Sequence, residues 1–371
     1  DEMLETMKLC VSCKGCRREC PTGVDMAKMK IEVLAAANKR RGLSLRDRLI
    51  AYLPRYAPYA SRLAPLLNAR NAIPGAAWLA ERFTGLSAKR RLPRWRRDVF
   101  TAPSPRTLRG EGRGEATREV ALFADTFNAN FEPDNLHAAV DVLTRLGYRV
   151  TLLRAEPENG TVGPARPLCC GRTFLSAGLV EEARVEARRV LAAAAPIVAR
   201  GVAIVGLEPS CLLTLRDEFT SMLPGAETEK LAAHALLFEE FLAREVGAGA
   251  LPEVIAEGTG KILLHGHCHQ KAFGAMTSVQ RALGLVRGLE VETVESSCCG
   301  MAGAFGYGAD TYEVSMQIGE LGLLPAVRKA ASGTIIAADG FSCRHQIRDG
   351  TNRTARHVAR ILHDALAVRP L

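Results

Sequence analysis

The stretch that most restricts this chain lies within its first thirty residues. Cys10-Val-Ser-Cys13-Lys-Gly-Cys16-Arg-Arg-Glu-Cys20-Pro21 has the spacing C-x2-C-x2-C-x3-C-P, which is that of a bacterial-type 4Fe-4S binding run. Two intervening residues let the backbone curl so that successive thiolates meet adjacent corners of one small cube. Gly15 is expected to relieve crowding in that turn, and Pro21 to stop the chain from closing over the fourth thiolate. Zinc is the alternative, but zinc sites usually take two well-separated C-x2-C pairs rather than three cysteines in one tight run.

In two-cluster runs of this type the cysteine before the proline ligates the other cluster. Cys10, Cys13 and Cys16 therefore lack a fourth ligand and Cys20 lacks three companions, yet no second run occurs in the sequence. The expectation is that this is the C-terminal part of a longer polypeptide whose upstream stretch carries the partner run.

Eleven cysteines with no visible secretory leader argue for a reducing compartment and for metal or redox chemistry over disulfides. No apolar run approaches the roughly 20 residues needed to span a bilayer. The expected location is cytoplasmic, with at most peripheral contact on the inner face of the membrane. The net charge of +9 is largely local: Lys89, Arg90, Arg91, Arg94, Arg96 and Arg97 surround Trp95, and Arg106, Arg109 and Arg113 follow. That reads as a solvated linker or a docking face for an acidic neighbour, with anionic lipid as the alternative. No nucleic-acid-binding signature accompanies it.

Val24 to Arg41 predicts a helix with Asp25 as its cap. From Gly42 to Arg113 the pattern is helical but broken by prolines, with an apolar stripe of Tyr52, Leu53, Tyr56, Tyr59, Leu63, Leu66 and Leu67 that suits packing on a neighbouring domain. Thr107 to Arg118 reads as an exposed linker. Strands are then expected at Val120–Asp125, Tyr148–Leu153, Ala199–Leu207, Lys261–His265, Val291–Val294 and Thr334–Ala338, with helices at Asn135–Leu146 and Ala272–Leu285. The fold class is accordingly α/β. It comprises an N-terminal helical, ferredoxin-like 4Fe-4S segment (1–41), a helical, Pro-punctuated basic linker (42–118) and a duplicated parallel α/β cysteine-rich unit (119–258 and 259–371).

The duplication shows in the motifs as well. Cys169-Cys170-Gly171 matches Cys298-Cys299-Gly300, and each is followed by a strand-end cysteine, Cys211 in Leu207-Glu-Pro-Ser-Cys211 and Cys343 in Asp339-Gly-Phe-Ser-Cys343. The second half opens with His265-Gly-His267-Cys268-His269-Gln-Lys271 where the first has Asp125-Thr-Phe127, which places Phe127 opposite Cys268. Adjacent thiols can meet one metal only on a tight turn, which the glycine supports, and open α/β sheets bind ligands at strand C-termini. Cys169, Cys170, Cys211, Cys268, Cys298, Cys299 and Cys343 thus suggest a second redox centre, iron-sulfur by preference, with zinc or a disulfide relay as alternatives. His267, His269 and Lys271 are candidates for metal ligation, proton transfer or binding an anionic acceptor.

These motifs, with Leu122-Phe-Ala-Asp-Thr-Phe127, Phe131-Glu-Pro133 and Leu168-Cys-Cys-Gly-Arg172, carry a resemblance to one group. The chain resembles the iron-sulfur C-terminal region of FAD-linked D-2-hydroxyacid dehydrogenases, of the D-lactate and D-2-hydroxyglutarate type. It is more distantly similar to the cysteine-rich domains of the glycolate oxidase iron-sulfur subunit and of heterodisulfide reductase. The resemblance implies a flavin domain upstream, outside this chain, that oxidises a D-2-hydroxyacid. Electrons would then pass through the 4Fe-4S cluster of Cys10, Cys13 and Cys16, with Cys20 serving a companion cluster, to the second centre and on to a quinone, cytochrome or other carrier. Two other readings stand beside it: a heterodisulfide-reductase-like thiol/disulfide reductase whose cysteine-rich site is catalytic, and a zinc-stabilised docking module without redox activity.

Overall fold

The computed structural model describes residues 2–101, 118–156 and 166–368. Most of the expected Thr107–Arg118 linker lies outside the described residues, and so do Arg106, Arg109 and Arg113. Two four-stranded, wholly parallel sheets carry the fold, and they share one strand order. In the first, β1 (Arg118–Phe123), β2 (Tyr148–Leu152), β3 (Ala203–Gly206) and β4 (Ala235–Leu237) are ordered β2-β1-β3-β4. In the second, β5 (Ala256–Leu264), β6 (Val286–Thr293), β7 (Ile335–Ala337) and β8 (Ala355–Arg356) are ordered β6-β5-β7-β8.

The central strands β1 and β3 and the C-terminal half of β5 are apolar on both faces, as buried parallel strands are, whereas β6 at an edge of its sheet is largely exposed. Their two-residue period divides them between layers. Val120, Leu122, Ala203, Val205, Ile262, Leu264 and Ala337 enter one core common to both sheets. Ala121, Phe123 and Ile204 line the outer face of the first sheet, while Leu263 and Ile336 line that of the second. Between the sheets, helix Pro133–Arg145 packs on Val358–Val368 and helix Phe238–Gly247 on Met276–Gly284. The two halves thus bury their amphipathic helices against each other and not against water.

Several elements differ from expectation for identifiable reasons. The strand predicted from Ala199 begins only at Ala203, because the Ala-rich helix Val180–Ala199 continues to that point before Gly201 (φ 72°) ends it. The helix predicted over Ala272–Leu285 is two, Cys268–Ala272 and Met276–Gly284, parted at Gly274 with φ 72°. The helix at the chain start runs Met26–Arg41. Asp25 caps it by accepting from Ala27 N and Lys28 N at 3.0 and 3.2 Å, and Lys39, Arg40 and Arg41 suit its negative end.

The basic, Pro-punctuated segment is not simply solvated. Arg90 is buried, donating to Gly306 O (3.0 Å) and Ser315 Oγ (3.1 Å), and Ser87 N donates to Tyr307 O at 2.8 Å. These bonds lash the segment to the second unit. The apolar stripe divides: Tyr52 packs edge-on against Phe174, whereas Tyr59, Leu63 and Leu66 face outward. No helix of the described residues is long and apolar enough to cross a membrane.

Candidate metal centres

Each paired-cysteine motif is a turn that needs its glycine. Gly171 and Gly300 have φ of 77° and 88°, the left-handed region that side chains resist. Close approach adds to this: a Cβ on Gly300 would lie 2.1 Å from the Ser315 carbonyl oxygen, and one on Gly171 would lie 3.2 Å from Ala183 backbone. The turns aim backbone N–H groups at sulfur. Gly171 N donates to Cys169 Sγ and Gly300 N to Cys298 Sγ, both at 3.3 Å, and Arg172 N donates to Cys170 Sγ at 3.4 Å.

The single cysteines arrive from strand ends by a shared device. Cys211 and Cys343 each sit at the third position of a helix, Pro209–Arg216 after β3 and Phe341–Thr351 after β7. Glu208 caps the first helix, and its other oxygen accepts from Phe341 N of the second unit at 2.7 Å. Cys268 opens helix Cys268–Ala272 with His267 as cap, as Thr126 opens helix Thr126–Phe131 with Asp125 as cap. The matched caps and the strand register, in which Leu122 pairs with Val205 as Leu264 pairs with Ala337, both place Thr126 opposite Cys268, one residue from the expected Phe127.

The thiols form two groups. Cys169, Cys170 and Cys211 lie close enough to perturb one another in the first unit, and Cys268, Cys298, Cys299 and Cys343 do so in the second. None of the eleven cysteines, all among the described residues, is in a disulfide. The neighbouring Cys170 acts downward on Cys211, yet burial and the nearby Asp125 and Glu208 carboxylates leave it pushed up to about 12. The neighbouring Cys170 and burial hold Cys169 well above the ordinary thiol value, and burial dominates at Cys170. Thiolates clustered in such surroundings need a cation among them, and the donor set therefore fits a metal centre better than free nucleophiles.

In the N-terminal run, Cys10 follows helix Glu2–Lys8 and Cys16 lies in helix Gly15–Glu19. Positive φ falls on Ser12 (51°) and Lys14 (61°), not on Gly15, where an added Cβ would meet only Cys13 Sγ at an ordinary 3.6 Å. The crowding expected at Gly15 is absent, because its neighbours take up the turn. Burial raises Cys13, and Cys268, Cys10 and Cys16 lie near enough to add to that. Cys20 points elsewhere: its sulfur meets Thr22 Oγ1 at 3.1 Å, and that bond helps bring it down to about 7. Lys14, almost wholly buried, turns back into a pocket of Asp25, Asp217 and Glu218 and so anchors the run to the first unit.

The run also meets the turn carrying Cys268. His269 Nε2 lies 3.1 Å from Ser12 O and 3.3 Å from Arg172 Nη2. His267 caps its helix, with Nδ1 accepting from His269 N at 3.1 Å and standing 4.0 Å from Cys268 Sγ. Lys271 donates to Ser296 O and, at 3.1 Å, to Ser297 O, thereby holding the segment that enters the second cysteine pair. Sequence reasoning did not single out His265, although it opens the same His-rich motif. It is buried, and a ring nitrogen with the Cys299 and Cys343 sulfurs forms a set mutually within 4.8 Å. A second buried set, Glu239, Asp339 and His357, lies where the two units meet.

No family model matches the chain. It is 30% identical over 369 residues to a D-2-hydroxyglutarate dehydrogenase of Pseudomonas putida, covering 96% of this chain and 34% of that protein. It is 25% identical over 330 residues to one subunit of the anaerobic glycerol-3-phosphate dehydrogenase of Escherichia coli, covering 87% of this chain and 78% of that subunit. Lactate utilization protein A 1 of Bacillus mycoides matches at 25% identity, over 66% of this chain and 97% of its own length. The chain spans about a third of the length of the D-2-hydroxyglutarate dehydrogenases it matches. The chain is thus a homologue of a region of those dehydrogenases, and of the glycerol-3-phosphate dehydrogenase subunit and the lactate utilization proteins.

Proposed function

We propose that this chain is the iron-sulfur electron-transfer region of an FAD-linked D-2-hydroxyacid dehydrogenase, of the D-2-hydroxyglutarate or D-lactate type. In this reading Cys10, Cys13 and Cys16 hold a 4Fe-4S cluster, and Cys20, turned toward Thr22, serves a companion cluster. Cys169, Cys170, Cys211, Cys268, Cys298, Cys299 and Cys343 hold the distal centre in their two groups. Bound there, iron-sulfur groups supply one-electron redox steps at potentials set by burial and hydrogen bonds. The chain's own residues aim N–H donors at sulfur, exclude water and dock the N-terminal run beside the second unit. A flavin-bearing domain or subunit is the proposed donor, and a quinone, cytochrome or other carrier the acceptor, with the protein cytoplasmic or peripheral on the membrane.

The observation that carries this reading is the seating of the N-terminal run on the turn that carries Cys268, where His269 Nε2 lies 3.1 Å from Ser12 O and Arg18 Nη1 donates to Lys271 O at 3.3 Å. It brings the N-terminal run and the paired-cysteine sites into one tract, as electron transfer requires and a docking module does not. Protein purified anaerobically is expected to hold iron and acid-labile sulfide, and Cys13→Ser should remove one cluster signal while the distal one survives. Zinc without sulfide would overturn the proposal. The nitrogen-sulfur set at His265, Cys299 and Cys343 is one that zinc also accepts, so the zinc-stabilised docking module is the second reading that this measurement decides.

A further inference from the structure

His265 is the residue at the second cysteine pair that hydrogen bonding does not account for. It lies just beyond β5 and is buried. Its Nδ1 meets Ser296 Oγ at 3.1 Å, while its Nε2 is buried and has no hydrogen-bond partner among the described residues. An imidazole kept only for packing would ordinarily satisfy both nitrogens. Here one is held by an oxygen and the other is left bare, as in a metal-bound histidine whose far nitrogen is oriented by a hydrogen bond.

The imidazole has suitable company. A ring nitrogen of His265 and the Cys299 and Cys343 sulfurs lie mutually within 4.8 Å. Metal–sulfur and metal–nitrogen bonds are about 2.3 and 2.1 Å long, so small side-chain adjustments bring all three donors to one ion. The first unit has no such donor. With Asp125 matched to His267, the position of His265 is taken by Phe123 and that of Cys268 by Thr126. Among the positions where the two units differ, His265 and Cys268 put metal-type donors where the first unit has Phe123 and Thr126.

We propose that His265 is a metal ligand, completing with Cys299 and Cys343 a mixed nitrogen-sulfur donor set on iron in the second unit. The proposal rests on the iron-sulfur reading above. A neutral imidazole in place of a thiolate leaves the site one negative charge poorer, which favours the reduced state, as histidine ligation does in other iron-sulfur centres. Ser296 acts through His265 as a positioning residue.

The test uses the full chain, purified anaerobically, with histidine enriched in the heavy nitrogen isotope, and pulsed EPR after poising the centre in its paramagnetic state. Wild-type protein should show hyperfine coupling to a directly bound histidine nitrogen that changes with the isotope. His265→Cys should abolish the coupling while retaining iron, and should lower the midpoint potential. His267→Asn, which keeps a helix cap, should leave the coupling intact. Iron-loaded wild-type protein with no bound-histidine coupling, or coupling that persists in His265→Cys, would overturn this inference alone. Protein without iron would overturn the electron-transfer reading together with it. The labelled wild-type measurement needs no substitution, so a poorly folding variant does not remove the test.

Discussion

Lys14 offers the sharpest test of how the N-terminal run is held. Its ammonium group is almost completely buried, 3.1 Å from Asp25 Oδ2 and 2.9 Å from Glu218 Oε1, and bonded to Asp217. Burial opposes its charge, but Glu218 and Asp217 outweigh that and raise its pKa. Lys14→Met keeps the stem and removes the charge, leaving three little-exposed carboxylates short of a cation. Removing one partner of a buried ion pair costs about 3–5 kcal/mol. The lower end applies here, because Asp217 keeps Arg17 and Lys28 and Glu218 keeps Arg172. About 3 kcal/mol shifts the ratio of docked to undocked run roughly a hundredfold. The loss should be local, since the core common to both sheets contains no residue of the run. Amide hydrogen exchange should therefore quicken by that factor in helix Gly15–Glu19, while β1 and β5 stay protected. Lys28→Met is the comparison: its side chain is a third exposed and touches the same Asp217, so about 0.5–1 kcal/mol is expected. Equal exchange in the two variants would refute the argument that burial makes Lys14 the anchor.

Two further outcomes follow from contacts to the second unit and within it. Arg344 and His345 hold Glu132 well below the usual carboxylate range against an opposing burial effect, and the Arg344 Nε bond to it is 2.9 Å long. A depressed folded-state pKa stabilises above the unfolded value of about 4.3 and ceases to do so as pH falls. Glu132→Gln should accordingly cost about 2–3 kcal/mol near neutrality, and urea melts should show the gap narrowing below about pH 4. A gap that widens in acid would contradict the sign. Gly300→Ala must fit a methyl 2.1 Å from the Ser315 carbonyl oxygen, at φ 88°, and should cost about 3 kcal/mol or more. Gly303→Ala has open space at φ 63° and should cost about 1–2 kcal/mol. Thermal melts of the two variants check the contrast, and equal losses would remove the case for close approach at the cysteine turn.

The parts of this architecture visible in the sequence are those where a local rule decides. The apolar runs at Val120, Tyr148 and Lys261 announced strands because parallel strands are buried on both faces, and Asp25 announced its helix because an uncapped helix start leaves N–H groups unpaired. Strands β4 and β8 escaped notice. Ala235–Leu237 and Ala355–Arg356 are too short for any period to show, and pairing with β3 and β7 defines them. Arg90 read as one charge in a solvated cluster, because nothing nearby in sequence indicates that Gly306 and Ser315 will receive it. His265 was passed over for a similar reason: Cys299, Cys343 and Ser296 are all brought to it by the fold.

The two units show why a duplicated scaffold suits several thiol sites. Each half folds a strand into a capped helix start, places a cysteine at the third helical position, and opposes it with a Cys-Cys-Gly turn. None of this depends on which donors complete the set, so side chains at the remaining positions can vary without disturbing the backbone. The first unit has Phe123 and Thr126 where the second has His265 and Cys268, yet Asp125 and His267 cap their helices alike, each accepting from the N–H two residues on. Sharing of Glu208 between its own helix start and Phe341 N keeps the cysteine-bearing ends of the two sheets together. The backbone device is common to both halves, and the chemistry of each is left to the few side chains that differ.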